Sequence, residues 1–167
     1  MGFFDFLTRR NGSSGDRQVE RLTKRLCNKH VQTGDRKRCI DQLEDLGTEE
    51  AVGALLQRFT FRTDVQIVDE DEKEQVYQAL LRLGPRAIAP IRRFVHEETT
   101  IYWPLRALTE IAGEEQTVKL LIEEIDAITE NFDRDVLRKH ELVSNLRECQ
   151  TPLVWQKLQE LLSDEAE

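Results

Sequence analysis

Four stretches of this chain share one pattern, in which an apolar helix runs into a short turn and then a second apolar helix. The first reads Ile40-Asp41-Gln42-Leu43-Glu44-Asp45-Leu46-Gly47, then Thr48 to Leu56. The second reads Tyr77 to Gly84, then Pro85-Arg86-Ala87-Ile88. The third runs Leu105 to Gly113 and on to Leu121, and the fourth Val143 to Gln150 and on to Leu158. The matched positions Leu46, Leu83, Ile111 and Cys149 are 37, 28 and 38 residues apart, the unequal spacing being absorbed by loops. A single helix pair cannot bury both of its apolar faces. Adjacent pairs cover one another, so a repeat of this kind constrains the chain to a quasi-one-dimensional helical stack.

From Asp16 onward every segment has helical period and none alternates as a strand would. Asp16 is placed to cap a helix to about Val31, with Val19, Leu22 and Leu26 inward and Thr33-Gly34 as its stop. Asp35 would cap the next, with Ile40, Leu43 and Leu46 inward and Gly47 ending it at C′. Thr48 would cap the third helix. A full capping box needs Glu or Gln three residues later, and Ala51 stands there. A loop is expected over 60–69. Further helices follow over 70–83, 85–97, 101–112, 114–128, 133–148 and 152–163. Val136, Val143 and Leu146 of the penultimate helix, and Leu153, Val154, Leu158, Leu161 and Leu162 of the last, are assigned inward. Trp103 and Trp155 are read as packing residues. Residues 1–15 form a separate element. Phe3, Phe4, Phe6 and Leu7 make a dense apolar tag, and Asn11-Gly12-Ser13-Ser14-Gly15 a flexible tether. The repeat domain is then 16–167.

The Leu-Gly joints followed by Thr-x-x-Ala-Val (46–52) or Pro-x-Ala-Ile (83–88) resemble HEAT repeats, most of all the short HEAT-like repeats of the phycobilisome-lyase type. Trp103-Pro104-Leu105-Arg106-Ala107-Leu108 is similar to the first helix of such a unit, and the N-terminal tag with 46–74 resembles uncharacterised bacterial HEAT-repeat proteins. The resemblance implies an all-α, right-handed α-solenoid of about four helix pairs behind a basic leading helix. It also implies a protein-binding scaffold whose second helices line a groove. Outward residues there would be Gln57, Arg58, Arg92, Arg93, Glu123 and Glu124. Of these, Arg58, Arg92, Arg93, Glu123 and Glu124 are the expected partner-binding set.

Charge sharpens this expectation. The chain has 24 Lys and Arg against 32 Asp and Glu, a net charge of -8. Residues 1–40 carry ten basic and four acidic side chains, and 41–167 fourteen and twenty-eight, so +6 is followed by -14. An acidic body is a poor ligand for nucleic acid. Arg17, Arg21, Arg25 and Lys29 stand four apart and form one stripe. Next to the Phe-rich tag, that stripe suits an anionic membrane surface. The sequence contains no apolar run long enough to span a bilayer and no recognisable secretion signal, and Cys27, Cys39 and Cys149 suit free thiols, so a cytoplasmic location is expected.

Motifs for chemistry are sparse. His96-Glu97 and His140-Glu141 are His-Glu dipeptides of the kind used by the di-iron deoxyhypusine hydroxylases of the HEAT class, but they fall at non-equivalent repeat positions. Cys27-Asn28-Lys29-His30 is half a zinc site without its other half. Asp64, Asp69, Glu70, Asp71 and Glu72 lack the spacing of a calcium loop and are read as acids favouring the following helix N-terminus. No catalytic, metal or cofactor-binding residue is assigned. The expectation is a non-enzymatic interaction module with a protein partner and scope for self-association. The alternatives are a peripheral membrane adaptor and an accessory, lyase-like protein acting on a chromophore-bearing partner.

Overall fold

The computed structural model describes residues 14–129 and 132–164. The Phe-rich tag (Phe3, Phe4, Phe6 and Leu7) lies outside them. The described residues are helical without strands. In order they are α1 (Ser14–Leu26), α2 (Thr33–Leu46), α3 (Glu49–Leu56), a 3-10 turn (Gln57–Thr60), α4 (Gln66–Leu83), a second 3-10 turn (Gly84–Ala87), α5 (Ile88–Glu97), α6 (Tyr102–Ala112), α7 (Glu114–Asp126), α8 (Asp133–Leu146) and α9 (Pro152–Asp164). They form two compact units that divide within α6, the first closing at Ala107 and the second opening at Leu108.

Local chemistry accounts for most boundaries. Gly47 ends α2 in the left-handed conformation at φ 54, and its N–H donates to the Leu43 carbonyl at 3.2 Å. A Cβ there would be strained by that φ and would sit 3.4 Å from Leu83 and Arg86. The Thr48 hydroxyl accepts from the Ala51 N–H at 3.2 Å, capping α3. Three expectations need correction. Helix α1 stops at Leu26 rather than near Val31, and Thr33-Gly34 opens α2 instead of closing α1. Asp35 lies inside the first turn of α2, while the N-cap position is Gln32. The acidic run from Asp69 to Glu72 is helix, because α4 begins at Gln66.

In the first unit, α1 packs on α2 and α3, α2 packs on α4, and α3 packs on α5. The core between them includes Leu26, Ile40, Leu43, Leu55, Leu56, Phe59, Leu80, Ile91 and Phe94, all fully buried. Trp103 closes one side. It stacks on Phe59 with ring centroids 6.2 Å apart and meets the edge of Tyr77 at 5.8 Å.

This core also contains charge. Arg58 and Glu72 are fully buried, and Arg36 nearly so. The Glu72 carboxylate accepts from Arg58 Nε at 2.8 Å and from Arg36 Nε at 2.9 Å, and lies 2.7 Å from Arg36 Nη2. Arg58 Nη2 donates to Asp69 Oδ1 at 2.8 Å and its Nη1 to the Phe61 carbonyl at 3.2 Å. Its guanidinium also lies 4.5 Å from the Phe61 ring centroid. Arg36 Nη1 donates to the carbonyls of Val31 and Lys29. Asp69 is closed by Lys73 Nζ at 2.7 Å and by the Thr63 N–H at 2.9 Å. The network therefore joins the α1–α2 turn, α2, the first 3-10 turn, the 61–65 loop and α4.

Burial alone would raise the Asp69 carboxyl. Hydrogen bonds from Lys73 and Arg58 and from the Thr63 amide outweigh it and hold the group at about 2. Because this lies below the ordinary value of 3.8, ionised Asp69 stabilises the fold above about pH 4, and that contribution is lost as pH falls through about 2. Asp69→Asn is expected to unfold at lower urea than the parent at neutral pH. The gap between the two should narrow from about pH 4 to about pH 2, read from denaturation midpoints at each pH. Glu72→Ala strands two buried guanidinium groups and is expected to cost about 3–5 kcal/mol by urea denaturation. A loss below about 1 kcal/mol would mean that the network is only decorative.

Candidate functional site

The residues expected to bind a partner do not share one open surface. Arg58 is fully buried and spent on Glu72 and Asp69, so its assignment to an outward surface is corrected. Gln57 beside it is buried too. The reason is local: the chain tightens into a 3-10 turn at 57–60, which carries both side chains inward. Arg92 is half-buried, and Arg93 pairs with Glu49. Glu123 is exposed, whereas Glu124 is 12% exposed and accepts from Arg138 at 2.9 Å. Arg17, Arg21 and Arg25 are exposed along α1, Arg25 pairing with Asp35 at 2.8 Å. Lys29 is exposed beyond the end of that helix.

Residues considered for chemistry are dispersed. Among the described residues no three His, Cys, Asp or Glu side chains are grouped to hold a metal ion. The three cysteines are free, and burial pushes the Cys27 thiol up to about 11, against the opposing charge of Arg58. No described helix is long and apolar enough to cross a membrane.

The feature that stands out was assigned to the core from sequence. In the second unit α7 is the central helix, and α8 and α9 both pack on it. Polar clamps hold them there. Arg138 of α8 reaches Glu124 of α7, and Lys157 of α9, itself buried, reaches Asp126 at 2.5 Å and Glu160 at 2.6 Å. Burial would lower the Lys157 ammonium, but hydrogen bonds to Asp126 and Glu160 outweigh it and raise the group. The Gln150 N–H donates to Glu114 at 2.8 Å, which fixes the α8–α9 turn on the start of α7.

Between α8 and α9 lies a groove of about 530 Å³. Val136, Lys139, His140, Val143, Ser144 and Arg147 line one wall, and Leu158, Leu161 and Leu162 the other. The first set follows i, i+3, i+4, i+7, i+8 and i+11, one continuous helical face. Helix α8 carries two apolar rows. Leu142 and Leu146 are fully buried. Val143 follows Leu142 and so points about 100° away around the helix, into the groove.

Hence the inward assignments of Val136 and Leu162 are corrected: they are 53% and 71% exposed. Trp155, expected to pack, is 69% exposed and stands one turn before Leu158 on the same row of α9. Phe132 is likewise exposed, one turn before Val136. Sequence reasoning recognised these residues as apolar and periodic. The missing signal was that two apolar rows on one helix exceed what a single neighbouring helix can cover. Comparison of the chain with protein families, curated proteins and solved structures gives no match.

Replacing a groove residue should barely affect folding. Val136→Ser and Leu162→Ser are each expected to change stability by less than about 0.5 kcal/mol. Leu146→Ala, in the buried row, should cost about 2–5 kcal/mol. Urea denaturation of the three variants checks the ordering, and equal losses would place the groove residues in the core.

Proposed function

We propose that this chain is a non-enzymatic protein-interaction module of the HEAT-repeat type, and that it docks a partner in the groove between α8 and α9. One observation carries the reading. Side chains with the periodicity and size of core residues line an open groove, and no described element covers them. In a stack of helix pairs, neighbouring helices cover each other's apolar faces. Val136, Val143, Leu158, Leu161 and Leu162 form a face of that kind, open among the described residues. A contiguous apolar surface of this kind marks an interaction site.

Packing in the first unit supports the architectural half of the reading. First helices α2 and α4 pack together, and second helices α3 and α5 pack together, as stacked pairs do. The earlier expectation of recognition through Arg58 and the second-helix arginines is not carried forward, since Arg58 is spent on an internal network.

The test is a photo-crosslinking amino acid placed at Ser144 in the groove and, separately, at exposed Gln78, in the full chain expressed in its own cell type. The expected result is a discrete protein adduct from position 144 only, lost when Leu161→Asp is added. Adducts of the same pattern from both positions, or none from 144, would overturn the docking reading.

A further inference from the structure

We infer that the α8–α9 groove takes an amphipathic helix whose apolar stripe is flanked by acidic residues, an inference that rests on the docking reading above. Shape supplies the first argument. The α8 wall runs from Val136 to the C-cap Arg147, twelve residues spanning about 16 Å of helix face. Leu158, Leu161 and Leu162 form the opposing wall at i, i+3 and i+4. Two helical walls with an open slot between them present ridges and grooves to a third helix, which meets them with its own i, i+3, i+4, i+7 row.

Charge supplies the second argument. In a chain with 32 acidic and 24 basic side chains, the described residues of the groove lining include the cations Lys139 and Arg147 and no carboxylate. His140 and Arg147 are exposed at its margin. Complementary potential then favours an occupant with acidic flanks. The same charge disfavours two other occupants. A second copy seated two-fold would place like cationic margins against each other. The chain's own first thirteen residues carry Arg9 and Arg10 against Asp5 alone, so their charge matches the margin instead of complementing it.

The experiment uses the full chain and three fluorescently labelled peptides. One has a Leu stripe at i, i+3, i+4, i+7 flanked by Glu, the second has the same stripe flanked by Lys, and the third has the Glu peptide's composition in scrambled order. Anisotropy titrations at low salt are expected to show binding of the Glu peptide, binding of the Lys peptide at least about tenfold weaker, and none for the scrambled one. Raising the salt should weaken the Glu peptide. Arg147→Glu changes an exposed residue and leaves the buried row intact; it should narrow or reverse the Glu-over-Lys preference. Leu161→Asp should remove binding of both striped peptides, with unchanged circular dichroism showing that the fold persists.

Equal affinity for the Glu and Lys peptides would overturn the inference. So would failure of the Glu peptide to bind while a crosslinker at Ser144 still captures a partner, in which case the docking reading survives. Failure of both experiments removes both. A dimer seen by sedimentation and abolished by Leu161→Asp would also overturn the inference, in favour of a second copy as occupant.

Discussion

The first unit is organised around a carboxylate that cannot reach water. Glu72 is fully buried between two guanidinium groups, and its oxygens are shared by Arg36 and Arg58. Each arginine then spends its remaining donors on backbone carbonyls, on the Thr33 hydroxyl or on Asp69, so no charge in the group is left without hydrogen bonds. Such a cluster costs desolvation and contributes little net stability compared with a well-packed apolar substitute. What it imposes is geometry. Any arrangement that separates α2, the 57–60 turn and α4 strands a buried ion, which costs several kcal/mol. The alternatives that an apolar core alone would tolerate are thereby penalised.

The second unit uses the same device more sparingly. Arg138–Glu124 and Lys157–Asp126 each tie an outer helix to α7, and both sit beside apolar rows that pack on it. Both helices share α7 as their packing neighbour, and the slot lies between them. The lining of the slot combines a Leu and Val floor with a cationic margin, a pairing suited to a partner that is apolar along one stripe and acidic beside it.

Much of this was readable from the residues in order. Gly47, Thr48, Gly84 and Gly113 mark joints because their backbone or cap chemistry allows little else, and the structure places helix ends at each. Most apolar positions of α2, α3, α5 and α7 are buried as their spacing requires, while Leu46, Ile88 and Ile122 are half-buried. Helical period places Arg58 outward, but the chain tightens to a 3-10 turn there, and its counter-ions lie eleven and fourteen residues further on in α4. Val136, Leu162 and Trp155 were misjudged for a different reason: period shows that a row is apolar, but not whether a neighbour covers it.

The sequence by itself determined the helical class, most of the joints and which rows on each helix are apolar, since these depend on backbone preference and side-chain type over a few neighbouring residues. Only the tertiary structure decided that Arg36, Arg58, Asp69 and Glu72 meet inside the core and that one apolar row of α8 turns to α7 while the other opens to solvent. Both outcomes depend on how helices distant in sequence rotate about their axes when they pack. That rotation is set by the joint burial of all partners at once, a property that no single segment encodes.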